Sequence, residues 1–328
     1  MFKTFKKICA AVLVAAAVLS LSACGNQREH VLIYLSNYDY EIELIDQRLK
    51  EQFPQYDITL EFVSTGDQAA KLLAEGLNAD ADMTYTLEFG YLSQLAEKGY
   101  LADLSDFSIP NYTEDARESD CYLAQQRFGG AIVIDPAILA EKGLEEPTSY
   151  QDLLKPEYKN LISMPNPKSS GTGYMFLKSL VNAWGEEKAF AYFDELTPNI
   201  LQYSSSGSAP INSVLQGETA IAFGSTGQAV KANSEGANLK ILYFDEGSPY
   251  AMYGMAIIKG KEERQAVRDV FDFMLNTYTL ESCQKFFPEK IYADRDFVID
   301  NYPQDIHYAD MSNDSFAEKE RLLELWKY

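Results

Sequence analysis

From Val31 onward, short apolar runs alternate with amphipathic helical patterns, and few architectures accept that rhythm. Val31–Leu35 is apolar throughout, as in a strand covered on both faces. The polar-aromatic loop Ser36-Asn37-Tyr38-Asp39-Tyr40 follows, then a helix pattern (Ile42, Leu44, Ile45, Leu49) that ends before Pro54. Asp57–Val63 reads as a second strand, and Ser64-Thr65-Gly66-Asp67 opens a second helix. Ala81–Thr86 reads as a third strand, and helical Leu87–Lys98 stops at Gly99. A βαβαβ order predicts an α/β chain with a mostly parallel sheet, whose ligands sit at the carboxyl ends of its strands. Those ends are Ser36–Tyr40, Ser64–Asp67 and Asp82–Thr86, polar where a buried turn would be apolar. Ser36, Asn37, Tyr38, Thr65 and Thr84 are the candidates they supply.

Tyr100–Arg127 is polar with little periodicity and reads as the approach to a hinge; Gly129–Ile134 is then a strand. The next stretch, Met164–Tyr174, carries the most chemistry. Pro165 and Pro167 hold the backbone extended, a Ser/Gly/Thr turn follows, and a helix pattern begins at Tyr174. The first amides of a helix lack intrahelical partners and carry partial positive charge, so Ser169, Ser170, Gly171 and Thr172 could cradle an anion. The competing reading is an ordinary N-cap, in which Ser170 or Thr172 satisfies its own helix. Two more such turns follow, Ser204–Pro210 after Asn199–Tyr203, and Gly224–Gly227 after Thr219–Phe223. Three turns at one sheet edge add Ser206, Gly207, Ser208 and Ser225, with Tyr203 beside them. Glu246–Tyr253 reads as a link, and Gly254–Ile258 as a strand returning to the first lobe. Glu262–Leu275, Leu280–Phe287 and Ala317–Leu325 read as helices.

The amino terminus carries an address. Lys3, Lys6 and Lys7 precede the apolar run Ile8–Leu19, which is too short to span a bilayer, and Leu21-Ser22-Ala23-Cys24 follows. This order resembles a bacterial lipoprotein lipobox, which implies removal of Met1–Ala23, acylation of Cys24, and a linker to about residue 29. The expected location is extracytoplasmic, lipid-anchored to the bacterial cell membrane. Cys9 leaves with the signal, and Cys121 and Cys283 could pair outside the cell. The chain has 28 Lys+Arg against 49 Asp+Glu, which argues against nucleic acid and anionic membrane surfaces as partners. No G-x-S-x-G, H-E-x-x-H, P-loop or Cys/His metal spacing occurs, so an enzyme is not expected. No cofactor is expected either, and with only His30 and His307 no metal role is assigned.

An ordered set of segments resembles the extracellular solute-binding proteins of ABC importers, in the family of ferric-iron, phosphonate and hexose-phosphate binders. It comprises the lipobox, Gly129–Pro136, Pro147–Pro156, Ile162–Tyr174, Asn199–Pro210, Gly217-Glu218 with Ala220-Ile221-Ala222, and Ala266–Leu275. The resemblance implies a two-lobed clamshell of type II, with lobe one from 30–127 plus 252–283 and lobe two from 128–251 plus 284–328. It also implies permease and ATPase partners, a monomeric state and a small solute held between the lobes. The iron-binding branch uses adjacent tyrosines after the Gly-Glu strand; this chain has Phe223-Gly224-Ser225-Thr226-Gly227 there and no Tyr-Tyr pair. The phospho-ligand branch implies an anionic group on Ser170-Gly171-Thr172 and Ser206-Gly207-Ser208, with Ser36 facing them. Tyr38, Tyr40, Tyr85, Tyr203 and Tyr253 are candidates for the rest of the pocket, with Tyr38, Tyr203 and Tyr253 preferred, and Lys168 lies beside the cradle. A ferric-iron binder and a sensor or adhesin lipoprotein are the alternatives.

Overall fold

The computed structural model describes residues 28–328. The signal segment Met1–Ala23 and Cys24 lie outside the described residues. Lobe one begins with β1 (Glu29–Leu35), α1 (Asp39–Gln52), β2 (Tyr56–Phe62), α2 (Thr65–Glu75), β3 (Met83–Glu88) and α3 (Phe89–Glu97). β1 pairs in parallel with β2 and β3. The chain leaves lobe one on the long strand β4 (Leu123–Ile134). Lobe two holds α4 (Pro136–Glu141), β5 (Ile162–Pro165), α5 (Gly171–Trp184), α6 (Glu186–Leu196), β6 (Ile200–Ser204), α7 (Ala209–Leu215), β7 (Ile221–Ser225), α8 (Thr226–Ser234) and β8 (Lys240–Leu242). There β5 is parallel to β6 and β7. The chain returns on β9 (Tyr250–Ile257), and α9 (Gln265–Phe273) and α10 (Thr279–Lys285) cover lobe one. α11 (Phe316–Leu325) ends the fold.

Each lobe therefore keeps a parallel trio, and the crossing strands run antiparallel to it. The nine-stranded order is β2-β1-β3-β9-β4-β7-β5-β6, with β8 on β4. Leu123–Gly129 of β4 pairs with β9, and Gly130–Ile134 pairs with β7, so one strand serves both lobes. The expected strand began only at Gly129. Its first half, Leu123-Ala124-Gln125-Gln126-Arg127, escaped notice because polar glutamines break the apolar pattern, although neighbouring elements bury both. Tyr250–Tyr253, expected as a link, is likewise the first half of β9.

Two cores divide the apolar side chains. One gathers Ile33, Leu35, Met83, Leu87 and Leu92 with Met255, Val270 and Phe271. The other gathers Ile132, Ile162, Phe176, Leu180, Phe193 and Phe223. The tail serves both: Ile291 and Tyr292 pack in the first core, and Phe287, Leu322 and Trp326 in the second. Cys121 and Cys283 are free thiols, not a bridge, and burial pushes the Cys283 thiol up to about 12. Among the described residues no helix is long and apolar enough to cross a membrane.

Candidate ligand-binding cleft

Between the lobes lies a cleft of about 560 Å³. Its lobe-two wall grows from the Pro165–Pro167 corner. The Asn166 carbonyl accepts from the Ser169 and Ser170 amides at 3.1 and 2.9 Å, which folds the turn back on itself. Ser170 is extended (φ −132°, ψ 125°), α5 starts at Gly171, and no side chain caps it. The first intrahelical donor is the Tyr174 amide, 3.0 Å from the Ser170 carbonyl, so the amides of Gly171 and Thr172 precede it without helical partners. The Ser206-Gly207-Ser208 turn closes over this end. A Cβ on Gly207 would collide with Thr172 Oγ1 and stand 3.3 Å from Ser170 Oγ. A Cβ on Gly171 would collide with Tyr253 Oη and stand 2.9 Å from Glu88 Oε2. Both turns approach so closely because these two positions carry no side chain.

The lobe-one wall is built from side chains linked in series. Thr65 Oγ1 donates to Ser36 Oγ at 3.3 Å, and Ser36 Oγ donates to the Thr86 carbonyl. Asn37 Nδ2 and the Tyr38 amide donate to the Glu41 carboxylate at 3.1 and 3.3 Å, which ties the loop to the first turn of α1. Gln126, Phe128 and Tyr253 from the crossing strands complete the floor. The jaws touch. Tyr38 Oη lies 2.9 Å from Ser225 Oγ, and a Cβ on Gly66 would stand 3.3 Å from the Lys168 carbonyl.

Among the described residues no lysine or arginine lines the cleft, whereas Asp39, Glu41 and Asp67 do. Burial pushes the Glu41 carboxyl up to about 7, against the lowering pull of its two hydrogen bonds. Burial also raises the Tyr38 and Tyr253 phenols, so neither offers a phenolate near neutral pH. Behind the cradle, Lys319 on α11 and Glu88 at the end of β3 form an ion pair of 2.6 Å, with side chains 3% and 2% exposed. Among the described residues no group of three or more His, Cys, Asp or Glu side chains could hold a metal ion.

Most residues singled out from the sequence meet here. Ser36, Asn37, Tyr38 and Thr65 lie on one wall, Ser169–Thr172 and Ser206–Ser208 on the other, and Tyr253 on the floor. Three do not line the cleft. Thr84 lies two residues before Thr86, on the regular side of the ladder slip between Tyr85 and Leu87, and is buried in lobe one, donating to Gln68 Oε1 at 2.9 Å. Tyr203 pairs with the Thr197 hydroxyl and stacks on Tyr328 at 5.6 Å. Ser225 is fully buried and accepts from the Gln228 amide, so the third turn is an ordinary cap. Tyr40 and Tyr85 pack on Phe286 and Tyr278 respectively. Thr86, Gln126, Phe128 and Glu41 were missed. The adjacent glutamines Gln125-Gln126 just before Gly129 were the available signal, because polar pairs seldom enter a strand without a site to serve.

Residues 79–313 match the family described as bacterial extracellular solute-binding protein. An uncharacterized protein of Haemophilus influenzae is 29% identical over 286 residues, covering 83% of this chain and 81% of that one. The spermidine/putrescine-binding periplasmic protein of Salmonella typhimurium is 26% identical over 282 residues, covering 80% and 78%. The periplasmic binding protein AfuA of Actinobacillus pleuropneumoniae, with fructose-6-phosphate bound, superposes with a TM-score of 0.80 at 24% identity, covering 92% and 98%.

Proposed function

We propose, from the premise that this chain belongs to the bacterial extracellular solute-binding proteins of ABC importers, that it captures a small anionic solute bearing a phosphoryl or phosphonate group. The observation that carries this reading is the uncapped amino terminus of α5, facing a second serine turn inside a cleft between the lobes. Amides and hydroxyls can bind such a group without any arginine. Family members deliver their ligands to membrane permeases. In our reading the open lobes expose both walls, the solute stabilises the closed form, and that form docks on the permease. Cys24 would carry the lipid that keeps the monomer at the outer face of the membrane.

The donor set does not suit ferric ion, which needs several hard anionic oxygens converging on one point. A polyamine is the second reading, favoured by the carboxylates of Asp39, Glu41 and Asp67 and the absence of a facing cation. A thermal-shift screen with phosphosugars, phosphonates, thiamine phosphates, ferric citrate and polyamines separates these readings. Phosphorylated or phosphonate solutes should raise the melting temperature. Stabilisation by spermidine or ferric citrate alone would overturn the proposal.

A further inference from the structure

Among the described residues that line the cleft, Thr86 alone is a non-glycine with a positive φ. Its φ is +59°, a left-handed conformation that a β-branched residue seldom adopts. The ladder between β3 and β9 slips at this residue, between Tyr85 and Leu87. On the other side of β9, the ladder with β4 slips between Ala124 and Gln126, leaving Gln125 out. The two unpaired residues meet: Thr86 Oγ1 donates to Asn37 Oδ1 at 2.7 Å and has Gln125 Oε1 at 3.1 Å. Gln125 Nε2 in turn donates to Gln126 Oε1 at 2.9 Å. The twisted backbone also aims the Thr86 carbonyl at Ser36 Oγ. One strained residue thus ties together three cleft-facing side chains from the first loop and from a crossing strand.

Strain of this kind persists only where the surroundings enforce it, and bulges re-aim side chains beside functional sites. The side chains held in this way, Ser36, Asn37 and Gln126, offer hydroxyl and amide groups, whereas the cradle across the cleft offers the unpartnered amides of a helix mouth. We propose that Thr86 is a positioning residue that holds Ser36, Asn37 and Gln126 against the uncharged, hydrogen-bonding body of the solute and so sets which body is accepted. This rests on the anionic-solute reading above, which assigns the charged end to α5.

The test compares wild type with Thr86→Val, Thr86→Gly and Thr86→Ser by calorimetric titration with fructose 6-phosphate, glucose 6-phosphate and inorganic phosphate. Val and Gly should bind the preferred sugar phosphate about tenfold more weakly and lose the preference between the two sugars. Inorganic phosphate binding should not change, and Ser should restore the wild-type pattern. Equal weakening of all three probes, or an intact preference in Val and Gly, would overturn the proposal. Melting of the ligand-free proteins is the second measurement. Both Val and Gly lack the hydroxyl, so Gly should melt roughly 2 °C above Val if the backbone is strained. Val melting above Gly would overturn it. If wild type binds neither sugar phosphate nor phosphate, the anionic-solute reading falls and this proposal with it, whereas an intact preference in Val and Gly sinks the proposal alone.

Discussion

The two walls of the cleft are made of different material. Lobe two presents backbone: amides at the mouth of α5, a serine turn above them, and glycines where a side chain would block the approach. Lobe one presents side chains in a hydrogen-bonded series from Thr65 through Ser36, Thr86 and Asn37 to Glu41. A backbone wall is rigid and uncharged, and its Ser, Gly and Thr residues do not titrate. The side-chain wall is adjustable, contains a buried carboxyl, and stores strain at Thr86. The difference suggests a division of labour, with charge read on one side and shape on the other.

The largest expected effect tests what holds the walls together. Lys319→Met strips the buried Glu88 carboxylate of its partner and should destabilise the protein by about 3–5 kcal/mol, measured by urea unfolding. A change below about 1 kcal/mol would mean that the pair does not brace the jaws. Second, Gly171→Val places a branched side chain in the backbone wall. Solute affinity should fall about a hundredfold, near 3 kcal/mol, with an unchanged circular dichroism spectrum. Undiminished affinity in titration calorimetry would remove the α5 mouth from the site.

The third effect separates the walls by pH. Glu41 titrates near 7 when folded against an ordinary 4.5, so the folded state holds its proton more tightly than the unfolded state. Its contribution is therefore fully present below about 4.5 and lost as pH rises through 7, on the order of 3 kcal/mol. Glu41→Gln should flatten the stability profile between pH 5 and 7. A slope identical to wild type would show that Glu41 titrates normally. The smallest effect is on the lobe-two hydroxyls. Ser170→Ala with Ser208→Ala should cost about 2 kcal/mol of binding to a phosphorylated solute, at every pH where the solute keeps its charge. A pH-dependent loss would contradict the division between the walls.

Much of this was legible in the sequence, and the reasons differ by region. β1 was readable because a strand covered on both faces is apolar along its run, here Val31–Leu35. The serine turns were readable because Ser, Gly and Thr between a strand pattern and a helix pattern have few other uses. The first halves of β4 and β9 were not, because Gln125, Gln126, Tyr250 and Tyr253 obey the cleft and the hinge instead of an apolar face. Thr84 and Thr86 show the finest grain of the failure. Both belong to one polar-ended strand, and a bulge that no local pattern announces decides which of them faces the solute.

Composition and order alone determined that this chain is an α/β protein with three hydroxyl-rich turns that open helices, because apolar periodicity and turn chemistry are local properties. Folding alone decided that two of the three turns converge while Ser225 is consumed as a cap. It also decided that Glu41 is buried with no cation beside it among the described residues, and that Thr86 bears the strain. Those outcomes depend on which distant segments pack against each other, and the register between strands far apart in the chain sets that.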